Sequence, residues 1–598
     1  MPVNLYTLHK IIRLISYIFS VELKGEKSLY FAHRDQMSYA MSAPLLLIQQ
    51  QRTLPRYGND ATVFYCNRFE IFVKTQEWEY YMAAQEANEV KMVPTLGLTG
   101  VTINAMALIA PGAFLWTTFA SQSTNGAMNM WASVLLAIII ALFTAISYAA
   151  LAKRYPEAGA GSSYYFAEVA VLHKEEHRHF RFARLSKFIV GWASHLYYWI
   201  YPGVMIAYMG TLVAYIIQTF VPDFGTPVQL VLTCIVSALV VGFIAYIGIN
   251  GSTMTNVIIN IIQIVMLLVF SIIAIFYRIT HPGIHYLHPT PLSVITPHDL
   301  NGLIFQSTIA ILLIVGFESA TALAAEAKNP GRDIPRGVII SLIIQGVICY
   351  LFEYFAANFA IGDYYKSPDG KLTGFDAAAA SGAPIGDIAK YLGDQLFHGG
   401  TAFATIMALT VFLALLGTTL ACLNTGVRVT YAMGKDSELP TVFGFLHGKY
   451  RTPHVGVIVL TVLSAALGSY GILKVDNLLQ ITLMSNIGTF LLYGMTCLIC
   501  VVAFAGVAGR AVFNTLVAPI LGAALNILML IFVLYYAIAG GGSGQVDTII
   551  AGVVAIAWLV LGFAYLYIQK IRTGTPILHP EDYKKASDDV AVPAASGD

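Results

Sequence analysis

From Leu98 onward the chain alternates between runs of about 20 mainly apolar residues and short polar segments, a rhythm set by the thickness of a hydrocarbon layer. Twelve such runs can be counted, at 98–119, 129–152, 187–219, 228–249, 254–278, 302–326, 335–361, 400–432, 454–471, 475–504, 511–538 and 547–571. A helix rising about 1.5 Å per residue crosses a bilayer in that length, so the pattern predicts twelve transmembrane helices. The first 91 residues do not share it. Ile11 to Ser20 is an apolar run too short to span and without a signal-peptide cleavage pattern, and Gln49, Gln50, Gln51 and Arg52 follow among scattered aromatics. Residues 1–91 are therefore expected to be a cytoplasmic or disordered segment. Residues 1–81 read either as an amphipathic membrane-surface piece or as an upstream extension that is disordered or not native coding sequence. No core-forming periodicity precedes Met82, which favours the extension. Residues 92–571 form the expected membrane domain and 572–598 a short cytoplasmic tail.

Composition confirms the class. Of 598 residues, 57% are apolar and 11% charged, and mean hydropathy is +0.69, against roughly 25% charged in soluble domains. This is an all-α integral membrane protein. The net charge of +1 is made of basic residues scattered between apolar spans, which excludes the concentrated basic surface that nucleic acid requires. Six cysteines, five of them inside apolar runs, give no secreted disulfide framework. No motif implies a metal or a cofactor.

The bases do orient the spans. Lys153, Arg154, Lys174, Arg178, Arg181, Arg184 and Lys187 fall between spans 2 and 3, Lys328, Arg332 and Arg336 between 6 and 7, and Lys435, Lys449 and Arg451 between 8 and 9. Residues 120–130, 220–228 and 539–546 hold no Lys or Arg. The positive-inside rule then predicts a multi-pass protein of the cell membrane with both termini in the cytoplasm. The outer loop 362–399 has three lysines, but also five aspartates, and its length weakens the rule there.

Two spans contradict themselves halfway. Span 6 runs as apolar core from Ile309 to Val315 and then meets Gly316, Phe317, Glu318 and Ser319. A charge at that depth costs roughly 3 kcal/mol or more unless it faces a cavity or a partner. Span 1 is interrupted about equally far in by Ala110, Pro111, Gly112 and Ala113. Paired broken helices at matching positions of two halves point to a midplane binding site, because half-helix ends present unpaired N–H and C=O groups. The competing reading is a pair of simple kinks.

Three separated motifs carry a family resemblance over about 92–571. IAILLIVGFESATALAAEAKNPGRDIPR spans Ile309 to Arg336, RYPEAGAGSSYY spans Arg154 to Tyr165, and NTGVRVTYAMGKDSELP spans Asn424 to Pro440. Together they resemble the amino acid-polyamine-organocation transporter superfamily, and Met82 starts MAAQEANEVKMVPTLGLTG like an ordinary transporter. The resemblance implies a five-plus-five inverted repeat with discontinuous helices 1 and 6, plus two peripheral helices. It implies movement of amino acids or amines by alternating access, commonly coupled to protons or to counter-substrate. Ala110, Gly112, Ala113, Gly316, Phe317 and Ser319 would then line the substrate, with Ser485 and Asn486 where span 10 could gate the cavity. His195 and Tyr198 would lie close to it if span 3 packs as in the family.

One departure bears on chemistry. The family's first helix usually offers G-S-G backbone N–H groups to a substrate carboxylate, and here Pro111 has none. Glu318 is the leading candidate for proton coupling. The alternative is a static role as acceptor from neighbouring helices. His195 could titrate or contact substrate, or serve as a neutral interhelical group. Glu353 is expected to pair within the bundle. Arg428 is expected to close a cytoplasmic gate through ion pairs or to snorkel, and Thr418 and Thr419 to serve helix packing. Gln263 stands near where some proton-coupled relatives carry a lysine, and an amide cannot take up the proton.

Three function classes stay open. A secondary transporter fits the broken pair and the lack of a nucleotide loop. A nutrient sensor usually adds a long signalling extension, and an enzyme would need a nucleophile, base and orienter that no spacing supports. The expected partners are a small-molecule substrate and the lipid bilayer. A disulfide-linked heavy chain is not expected, since 220–228 holds no cysteine.

Overall fold

The computed structural model describes residues 96–573 except 110–117, 125, 157–161, 173–179, 249–252, 437, 449 and 451. The expected N-terminal segment, residues 574–598 of the tail, and the break at Ala110, Pro111, Gly112 and Ala113 lie outside the described residues. Eleven helices among the described residues are long and apolar enough to cross a membrane, and they fall on runs 2 to 12. Run 1 is represented by α1, Leu98–Ile109, a helix of 12 residues.

The helices that follow it are α2 Met130–Arg154, α3 Ser163–Leu172, α4 Phe180–Gln218, α5 Pro227–Ile247, α6 Thr253–Thr280, α7 Leu300–Ile314, α8 Pro330–Leu342 and α9 Leu351–Ala360, with loop helices at Pro291–Ile295, Gly374–Ala380 and Pro384–Phe397. Then come α10 Gly400–Lys435, α11 His454–Gly471, α12 Val475–Phe504, α13 Ala518–Ala539 and α14 Gly542–Thr573. Local sequence sets several ends. Before α5, Thr226 and Gln229 form a reciprocal capping box with Pro227 at the first turn, and Gly248 closes the helix in the left-handed region. Before α7, the Asp299 carboxylate accepts from the Gly302 N–H.

α4 is the axis of the bundle and packs against α10, α11 and α12, burying Tyr197, Tyr201 and Tyr208. Gly488 of α12 makes one approach possible, because a Cβ there would stand 2.9 Å from the Tyr197 nitrogen. Lipid and bundle faces are inverted relative to a soluble helix. On α6, Ile258, Ile261, Ile262, Val265, Val269, Ile272 and Phe276 are exposed, while Asn260, Gln263 and Ser271 are buried. α14 packs on α12, α13 and α4 and exposes Ile556, Val560 and Phe563, as a peripheral helix does.

Span 6 breaks where its sequence weakens. α7 ends at Ile314, Val315 is extended, and Gly316 takes φ 124°. Only glycine adopts that conformation readily, and a Cβ there would also stand 2.9 Å from Leu108 Cβ at the end of α1. A 3-10 helix, Phe317–Glu326, then continues the span. Ten residues is long for this geometry, whose hydrogen bonds are poorer than an α-helix's. Its end is tied to the approach to α1: Leu96 N–H donates to Glu326 O at 2.9 Å and Lys328 N–H to Leu96 O at 2.8 Å. Span 7 is irregular too, passing from α8 through a π-helix, Ile343–Tyr350, into α9.

Candidate binding site at the broken helices

Glu318 sits at the first turn of the 3-10 helix and is 1% exposed. Its Oε2 accepts from the Tyr493 hydroxyl at 2.7 Å and from the Gly316 N–H at 2.9 Å, and its Oε1 accepts from the Tyr198 hydroxyl at 3.1 Å. All three donors are neutral. None of the ion pairs among the described residues involves Glu318. Around it the rings of Phe317, Tyr148 and Tyr493 form a triangle with centroids 5.4–6.0 Å apart. Ser319 Oγ donates to Gly316 O at 2.6 Å and Thr321 Oγ1 to Glu318 O at 2.6 Å. These side chains add hydrogen bonds to carbonyls at the break, where lipid could supply none.

The end of α1 is held in the same manner. Carbonyls of its last turn accept from side chains of other spans. Met106 O accepts from Gln345 Nε2 at 2.7 Å, Ala107 O from Thr418 Oγ1 at 2.8 Å, and Ile109 O from the Tyr350 hydroxyl at 2.8 Å. Two of these donors come from the π-helix and one from α10. The helix end next to the interruption of span 1 thus meets the Gly316 break across Leu108.

A sequence profile of the family described as amino acid permease matches residues 94–562. The chain belongs to the amino acid permease family. The branched-chain amino acid permease of Bacillus subtilis (strain 168) is 22% identical over 439 residues, covering 70% of this chain and 83% of that protein. A low-affinity putrescine importer of Escherichia coli (strain K12) is 26% identical over 413 residues, 68% and 80% of the two chains. A methylthioribose transporter of Bacillus subtilis (strain 168) is 23% identical over 398 residues, 64% and 76%. The protein is a multi-pass secondary transporter of amino acids or related amines, and not an enzyme.

The permease brings some of the sequence-predicted residues together and separates others. Gly316, Phe317, Glu318, Ser319 and Tyr198 form one cluster. Asn486 Nδ2 donates to Thr308 O at 2.7 Å, fastening α12 to α7, and Ser485 beside it is buried with its Oγ unpartnered among the described residues. His195 precedes Tyr198 by one turn, but its ring lies 4.1 Å from Trp199, 5.3 Å from Trp558 and 5.8 Å from Trp192 by centroid. Trp558 belongs to α14, and both His195 nitrogens lack hydrogen-bond partners among the described residues. Aromatic packing, not hydrogen bonding, holds that ring.

Toward the other end of these spans Arg428 Nη2 lies 3.3 Å from Glu326 Oε1, joining α10 to the end of the 3-10 helix. Lys187, counted in sequence as a loop base, is buried inside the Leu185–Gln218 span. Its Nζ is 2.7 Å from both Glu168 and Asp436, which links α3, α4 and the end of α10. Sequence reasoning did not single out Tyr493, Tyr148, Gln345 or Tyr350. The signal available for them was polar atoms inside apolar runs, and thirty-four tyrosines in the chain dilute it.

Proposed function

We propose that this permease carries a protonated amine, as a free amine or as the amino group of an amino acid, past the paired breaks by alternating access. Glu318 is the group that receives it. The observation carrying this reading is that Glu318 is buried at the break with three neutral donors and no cation. A cationic ligand would supply the missing charge complement. Gly316, Phe317, Ser319 and Tyr198 line the same place, and in this reading span 1 would add Ala110, Gly112 and Ala113, which lie outside the described residues. The polyamine or organic-amine form of the reading gains from two facts. Pro111 has no N–H for a substrate carboxylate, and the Gly316 N–H is already donated to Glu318. The putrescine importer among the relatives supports it as well.

Transport is coupled to protons or to counter-substrate, with Glu318 as the first coupling residue and His195 as the second to test. Arg428 and Glu326 form a cytoplasmic gate, the fold is the twelve-helix inverted repeat, and both termini face the cytoplasm of a cell whose outer membrane surface carries loop 362–399. A static role for Glu318 is the second reading, favoured by the same bond to Gly316 N–H, which would fix the bend. Uptake into proteoliposomes, comparing putrescine with leucine, tests the substrate. Thermal stabilisation is its companion, since a ligand at 100 times its dissociation constant stabilises by about 2.7 kcal/mol. Absence of both uptake and stabilisation with every amine and amino acid tried overturns the reading.

A further inference from the structure

Glu353 lies near the start of α9 in span 7 and takes no part in the Glu318 cluster. It is 1% exposed, its Oε2 has no hydrogen-bond partner among the described residues, and no ion pair there includes it. Sequence leads one to expect a partner for an acid at this depth, and the described residues supply none for Oε2. Its place in the fold is informative. Tyr350, one turn earlier, donates to Ile109 O at 2.8 Å, at the end of α1. Tyr354, the next residue, donates to Gln122 Oε1 at 2.6 Å and lies 3.4 Å from Thr118 Oγ1. The turn that carries Glu353 therefore grips span 1 on both sides of its interruption. The π-helix Ile343–Tyr350 directly precedes it, and such widened turns recur at functional sites.

The chemistry follows from the surroundings. A buried carboxylate with no cation beside it and an oxygen that finds no donor is strongly disfavoured, whereas the neutral acid loses far less on burial. We propose that Glu353 is a proton-binding site of the transport cycle, distinct from Glu318. It is loaded while Tyr350 and Tyr354 hold the two sides of span 1, and it releases its proton to water when span 7 lets go. Cys349, Tyr350 and Tyr354 are its titratable neighbours on its own span. α6, packed against α9, brings Tyr277 and Arg278. Arg278 is engaged by the carbonyls of Phe359, His288 and Pro289. α2 carries Tyr148, Lys153 and Arg154 toward its C-terminal end, whereas it meets α9 through Trp131, whose Nε1 donates to Leu351 O at 2.8 Å. The short helix Pro291–Ile295 brings no titratable group.

Infrared spectra of the full chain in lipid nanodiscs at neutral pH should show a protonated carboxyl band that Glu353→Gln removes and that Glu318→Gln and Glu353→Asp retain. In proteoliposomes, Glu353→Gln should lose the wild type's pH dependence of putrescine or leucine uptake. A single titration changes the protonated-to-ionised ratio about tenfold per pH unit, so the loss is readily measured. No protonated carboxyl band in the wild type overturns the proposal, whatever the variants do. So does a Glu353→Gln protein with the wild-type band and pH profile. If Glu353→Gln does not fold, the wild-type band and its persistence in Glu353→Asp decide. The infrared arm does not depend on the substrate: a chain that takes up neither probe overturns the substrate reading above and leaves the band to decide this one.

Discussion

Three neutral donors around one carboxyl group make the Glu318 cluster sensitive to single atoms. Tyr493→Phe removes the 2.7 Å donor and leaves Oε2 with the Gly316 N–H alone. Hydrogen bonds to charged groups contribute about 1.5–3 kcal/mol, so thermal unfolding in detergent should show a loss of that order. Tyr198→Phe removes a bond of 3.1 Å and should cost less. Equal effects would mean that the two phenols do not hold the acid as drawn. Glu318→Gln separates the coupling role from the static one. Its amide oxygen can take the Oε2 position with its two donors, which turns the NH2 toward the Tyr198 hydroxyl, so that one bond must reverse or be lost in either case. If Glu318 carries the proton, uptake loses its pH dependence while counter-substrate exchange survives. If exchange is lost too, or the pH profile stays, the acid only fixes the bend.

At the scale of elements, Leu108 near the end of α1 touches the break at Gly316, and that contact is what a substitution should reveal. Gly316 combines φ 124° with a Leu108 contact that leaves no room for a Cβ. Gly316→Ala should cost about 1–3 kcal/mol in backbone strain alone. Gly316→Leu should abolish stabilisation by ligand in a protein that still inserts and stays monodisperse. Ligand binding at the wild-type level in both variants would reduce the break to a kink. Gly316, Glu318 and the loop after them were legible in sequence because glycine and an acid stand out in an apolar run. The donors that complete the site were not. Tyr493 is 175 residues from Glu318 and Gln345 is 239 from Met106, and a tyrosine or glutamine in a span reads as ordinary packing. Thr418 read that way, yet it caps the end of α1. His195 and Tyr198 share a helix, and periodicity could not tell which neighbour each would meet. The 3-10 and π segments leave no mark in hydropathy, because the altered turn keeps the same apolar residues.

For the whole molecule, the span pattern was the most legible feature, since runs 2 to 12 coincide with the eleven membrane-length helices among the described residues. Orientation was inferred from charge, and one of its bases does not act as a loop charge: Lys187 is buried between Glu168 and Asp436. Six other bases remain between spans 2 and 3, so the expected orientation does not rest on it. Labelling with a membrane-impermeant maleimide in intact cells tests it. The five cysteines among the described residues, Cys234, Cys349, Cys422, Cys497 and Cys500, are all buried, which keeps their background low, and Cys66 can be replaced by serine throughout. In that background Asp369→Cys, in the loop 362–399 where the native side chain is about half exposed, should label in intact cells. Lys435→Cys, exposed at the end of α10, should label only after permeabilisation. The reverse pattern would invert the molecule in the membrane and place the Arg428–Glu326 pair on the outer side, making it an external gate.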